Sequence, residues 1–129
     1  MSEIKCFEDI EVWKLAYEYA VEIYKITGGG LFCQDLRFQG QIRASAGSIM
    51  DNIAEGYERD GTKEFIQFLS YAKGSCGESR SQLHRAYSVG FINEVSYNLM
   101  IQKSKIISKS LSGFINYLKN SGMKGTKYR

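Results

Sequence analysis

Group-transfer and hydrolytic enzymes need a nucleophile beside a base, paired carboxylates or a metal cage. This sequence offers a single histidine, His84, for any such arrangement. It contains no HExxH and no ExxH pair, so the usual ligand set of a metal-binding helical bundle is missing. Cys6, Cys33 and Cys76 are odd in number and lack CxxC spacing, and they read as free thiols. Gly28, Gly29 and Gly30 are not followed by GK[ST], which makes them a loop rather than a phosphate cradle. The expectation is therefore a protein with no catalytic residue, no cofactor and no metal, and with His84 on its surface.

The remaining chemistry is charge. Lys73 and Arg80 lie seven residues apart, with His84 four further on; Lys105 and Lys109 are four apart; Lys119, Lys124, Lys127 and Arg129 follow towards the end. At helical spacing the first two groups share faces, and the last group makes a basic tail with Tyr128 inside it. Residues 1 to 60 hold six basic and eleven acidic side chains, whereas residues 61 to 129 hold eleven basic and three acidic. Such a split concentrates positive potential on the second half, which suits a polyanion or the acidic surface of another subunit. Lys73, Arg80, Lys105, Lys109, Lys119, Lys124, Lys127 and Arg129 are the candidate phosphate contacts to RNA or DNA. Nothing in their spacing implies base-specific readout. Lys103 falls among apolar positions, where a buried stem with an outward-reaching ammonium is expected.

Positioning these groups requires long helices. A chain of 129 residues supports one core, and the absence of proline removes the commonest helix breaker. No apolar run approaches the roughly 18 residues of a membrane span, and the acidic start MSEIKCFEDIEVW is unlike a secretory signal, so a cytoplasmic protein is expected. Apolar residues recur at three- and four-residue steps in four stretches. In the first, Ile10, Trp13, Ala16, Tyr17, Ala20 and Tyr24 make one line, with Val12, Tyr19, Ile23 and Ile26 as a second. Phe38, Ile42, Ala46, Ile49 and Ile53 give the second seam, and Phe65, Phe68, Leu69, Ala72, Cys76, Ser79, Leu83 and Ala86 the third. The fourth is a drifting stripe of Val95, Leu99, Ile106, Ile107, Leu111, Phe114 and Leu118. Thr62 and Asn93 are candidate N-caps, and Gly90 is a helix stop.

These patterns predict one all-α domain over residues 1–129, an antiparallel up-down-up-down four-helix bundle. Its helices should cover about 8–27, 35–57, 62–89 and 93–119, followed by a basic tail over 120–129. The expected core comprises Trp13, Ile42, Ala46, Ile49, Ile53, Phe68, Leu69, Ala72, Leu83, Leu99, Ile106 and Leu111. Small residues line one face of the second helix (Gly40, Ala44, Gly47, Ala54) and one of the third (Ser70, Gly74, Gly77, Ser81). Interior glycines cost about 1 kcal/mol each against alanine, so close approach of another helix is expected there, within the chain or from another copy. The wide apolar surface of the first helix, together with Tyr97, Ile101 and Ile115 off the fourth seam, points to self-association.

The motif order FEDIEVWKLA (7–16), QIRASAGSIMDNIAEG (41–56), EFIQFLSYAKGSCGE (64–78) and QLHRAYSVGFI (82–92) resembles the bacterial four-helix bundle family encoded by intervening sequences in large-subunit ribosomal RNA genes. The resemblance runs from Phe7 to about Leu118 and is most specific in NIAEG followed by EFIQFL. The family usually has proline where Met50 stands, and a second basic residue where Ala44 stands beside Arg43. The resemblance implies a homo-oligomeric ring, a pentamer, without catalytic activity and with an RNA-related role. It also implies kinship with accessory proteins of diversity-generating retroelements, whose basic pentamers engage nucleic acid and a reverse transcriptase. Asn52 and Glu55 then read as structural residues closing hydrogen bonds near the end of the second helix.

Overall fold

A computed structural model describes residues 3–121. Four helices, α1 (Glu11–Ile26), α2 (Leu36–Glu58), α3 (Thr62–Ser88) and α4 (Glu94–Asn120), follow one another, with short 3-10 turns at Phe7–Asp9 and Gly30–Gln34. Each helix packs on its two neighbours in the ring α1–α2–α3–α4–α1. The partners run in opposite directions: Ser45 meets Gln82 and Gly56 meets Phe68, while Cys76 meets Ser104 and His84 meets Tyr97. The arrangement is an all-α, up-down-up-down bundle.

Local chemistry sets the helix ends. Asp35 caps α2 by accepting the Phe38 N–H at 3.0 Å, and Asn93 caps α4 by accepting that of Ser96 at 2.8 Å. α3 ends in a Schellman-type closure, with Gly90 at φ 82° and the Phe91 N–H donating to the Ala86 carbonyl at 2.8 Å. Thr62 is not the cap expected of it. The sharp α2–α3 turn needs a residue at φ 98°, which Gly61 supplies as N-cap, and Thr62 becomes the first helical residue, buried in the bundle.

Ile42, Ala46, Ile49, Ile53, Leu69, Ala72, Leu83 and Leu111 are fully buried, as expected. Trp13 and Phe68 are only half-buried, and Leu99 and Ile106 are about half exposed, at 48% and 49%. The seam of α4 is instead Met100, Ser104, Ile107, Leu111, Ile115 and Leu118, leaving Val95 78% exposed. Ser104 disguised that register, since its hydroxyl is satisfied by the Ile101 carbonyl at 2.7 Å and so tolerates the core. Ile115 therefore lies inside, and Tyr97 and Ile101 are half-buried rather than free. On α1 the second apolar line supplies most of the core, through Val12, Tyr19 and Ile23, while Tyr17 and Tyr24 are exposed.

The glycines divide into two kinds. A Cβ on Gly56 would stand 2.5 Å from the Cβ of Phe68, so this glycine is what lets α2 and α3 touch. Gly40, Gly47, Gly74 and Gly77 face open space, with nothing within 4 Å of an added Cβ. The small-residue lines at these glycines are not contacts between α2 and α3 of one chain.

Candidate nucleic-acid interface

The candidate cations on α3 share one edge. At about 100° per residue, Lys73, Arg80, His84 and Tyr87 fall within a strip roughly 60° wide and about 21 Å long. That edge faces α4: His84 Nδ1 lies 2.8 Å from the Tyr97 hydroxyl, and the Tyr87 and Tyr97 rings are stacked 4.2 Å apart. On α4, Ile101 and Ser108 are half-buried along the same junction, and Lys105 and Lys109 stand one step further out, both exposed. Lys119 lies exposed near the end of α4. Lys73, Arg80 and Lys105 thus border the α3–α4 junction, the groove between the two helices, whereas Lys109 lies about 140° around α4 from Ser104 of the buried seam and points away from the bundle.

Their carboxylate neighbours lie elsewhere. Glu64 pairs with Arg59 of the α2–α3 turn at 3.6 Å, and Glu78 falls about 140° around α3 from Lys73. Only Glu94 enters this side of α4, at its first turn. Lys103 is half-buried on the opposite edge, its ammonium 4.0 Å from Glu22 of α1, and it takes no part in the groove. Arg80 is less free than its sequence position suggested. The residue is half-buried, and its Nη1 is enclosed without a hydrogen-bond partner among the described residues. A cationic donor held this way gains from an anion brought near its exposed part. Lys124, Lys127 and Arg129 lie outside the described residues.

Arg43 had no role assigned by its spacing, and it proves to be a clamp. Its Nε donates to Thr27 Oγ1 at 2.9 Å, its Nη2 donates to the Tyr24 carbonyl at 3.2 Å, and its guanidinium lies 4.5 Å from the Tyr24 ring centre. Gln39 adds a bond to the Thr27 carbonyl at 2.7 Å. Together they satisfy the C-terminal end of α1, where a cation also meets the negative end of the helix dipole. Asn52 closes on the Ser48 carbonyl and hydroxyl at 2.8 and 2.9 Å, and Glu55 pairs with Arg59 at 2.9 Å.

Among the described residues, no group of three or more His, Cys, Asp and Glu is placed to hold a metal ion, and no helix is long and apolar enough to cross a membrane. Cys76 is buried and donates to the Ser104 carbonyl at 3.1 Å, and its burial pushes the thiol pKa up, away from the reactive thiolate. His84 is exposed, as expected.

The fold is an up-down four-helix bundle with cations bordering the junction of α3 and α4. Residues 8–113 match the family model described as 23S rRNA-intervening sequence protein, and the chain belongs to that family. Among solved structures it is similar to a protein of unknown function from the S23 ribosomal protein family of Bacteroides thetaiotaomicron. The two share 24% identity over 81% of this chain and 95% of the other, with a TM-score of 0.72, a likeness of fold. No curated protein matches the chain.

Proposed function

We propose that this protein is a non-enzymatic, RNA-associated bundle of the cytoplasm that binds nucleic-acid phosphates through Lys73, Arg80, Lys105, Lys109, Lys119 and the tail residues Lys124, Lys127 and Arg129. The observation that supports this reading is that Lys73 and Arg80 of α3 and Lys105 of α4 border one helix junction, with Glu94 as the one carboxylate on that side of α4 and Glu64 paired with Arg59. The family's link to ribosomal RNA supports RNA as the polyanion. The bundle works as a homo-oligomer, a pentameric ring, in which each copy repeats the groove and avidity multiplies weak phosphate contacts. The exposed line of Val95, Leu99 and Ile106 and the open glycines of α3 favour such packing between copies. Removing the residues after Asn120 should weaken RNA and DNA binding alike and flatten the salt dependence by roughly one unit per lost contact. Retention of the full slope after truncation counts against the tail.

The same exposed apolar line favours a second reading, in which the bundle is an accessory scaffold of a diversity-generating retroelement that holds a reverse transcriptase and its template RNA. Co-purification with a reverse transcriptase that survives nuclease treatment supports it; loss on nuclease treatment supports the first.

A further inference from the structure

We propose that Tyr87, backed by Tyr97 and His84, is a stacking platform for an unpaired nucleobase at the end of the α3/α4 groove, so that the groove takes single-stranded nucleic acid in preference to duplex. This rests on the phosphate-binding reading and adds to it the class of ligand.

The geometry is that of a ring braced from behind. His84 meets Tyr97 by a hydrogen bond of 2.8 Å and an edge contact at 70°, which fixes the Tyr97 ring. Tyr87 then lies flat on Tyr97, at 4.2 Å and 11°. Tyr87 keeps 37% of its surface exposed while stacked on Tyr97. Its position continues the strip that carries Lys73 and Arg80, with Lys105 across the groove, so a strand whose phosphates follow those cations reaches the ring with its bases free. Aromatic faces beside a cationic track are how sequence-tolerant single-strand binders gain affinity, because every base has a face to stack. In a duplex those faces are already occupied.

The test uses the full-length chain and fluorescence anisotropy with three probes: a short single-stranded RNA, an abasic strand of equal length and charge, and the matching duplex. The expected order has the base-bearing strand tightest. Tyr87→Leu should weaken that strand by about tenfold and leave the abasic strand unchanged, and Tyr87→Trp should restore it. Leucine keeps apolar cover over Tyr97, and an unchanged circular dichroism melt confirms an intact bundle. If Tyr87→Leu does not fold, Tyr87→Trp binding the base-bearing strand at least as tightly as the parent, with unchanged abasic binding, supports the platform, and weaker binding of that strand overturns it. Equal affinity of the parent for base-bearing and abasic strands overturns the platform while leaving phosphate binding in place. No salt-dependent binding of any probe overturns the phosphate reading and the platform with it.

Discussion

The Tyr19 hydroxyl and Ser79 Oγ lie 2.6 Å apart at the centre of the bundle, both fully buried, joining α1 to α3 across the diagonal. The neighbouring core pair, Ser45 donating to Gln82 Oε1, ties α2 to α3. These buried polar groups are tolerated because each of the four has its partner, and they hold the helices in one register. Burial drives the Tyr19 pKa well above the ordinary tyrosine value, which favours the neutral phenol that the bond to Ser79 uses.

Tyr19→Phe strands the Ser79 hydroxyl in the core and should cost about 1 to 3 kcal/mol in urea unfolding. Adding Ser79→Ala should recover part of that loss, since both polar atoms are then gone. A double variant with fully additive losses would mean that the two hydroxyls do not interact.

Two glycine substitutions should have opposite signs. Gly56→Ala places a methyl against Phe68 and should destabilise by roughly 1 to 3 kcal/mol or more. Gly74→Ala meets open space and should raise the stability of the isolated bundle by up to about 1 kcal/mol. If α3 packs against another copy there, sedimentation of Gly74→Ala should show weaker self-association despite the more stable fold.

These glycines mark a boundary of what the sequence makes legible. Periodicity alone finds the seams of α2 and α3, because Ile42, Ile49, Ile53, Leu69 and Leu83 are both apolar and buried. It fails on α4, where Ser104 sits in the core and Val95, Leu99 and Ile106 face outward. A serine that bonds its own helix backbone looks polar in sequence and behaves as filler in the fold. The candidate cations were visible by type, but which of them border the α3–α4 junction depends on the register between those helices, which no spacing within either helix specifies. The Arg43 clamp was hidden for the same reason, since its partners belong to α1.

Arg43→Met should lower stability by about 1 to 2 kcal/mol through loss of the bonds to Thr27 and the Tyr24 carbonyl. RNA affinity, measured well below the unfolding transition, should stay within about twofold of the parent. A large affinity loss in the folded variant would make Arg43 part of the interface.

Thiol labelling separates the cysteines. Cys6 and Cys33 are exposed and should react in the native protein, whereas Cys76 should react only after unfolding. Reduced solvation and the nearby Glu8 and Asp9 raise the Cys6 pKa, so its thiolate is disfavoured and its labelling rate should keep climbing with pH beyond the ordinary thiol midpoint. Native labelling of Cys76 at a rate matching Cys6 would show that the α3–α4 contact opens readily.

The groove itself is tested most directly by the salt dependence of RNA binding. Neutralising Lys73, Lys105 and Lys109 together with glutamine should reduce the slope of log K against log salt by about two units, given roughly 0.7 per phosphate contact on a single strand. Lys14→Gln with Lys25→Gln, on the acidic first helix, should leave the slope unchanged. Equal flattening by both sets, or a parental slope after loss of all three lysines, would show that the cations of α3 and α4 are a solvated surface and not a phosphate-binding track.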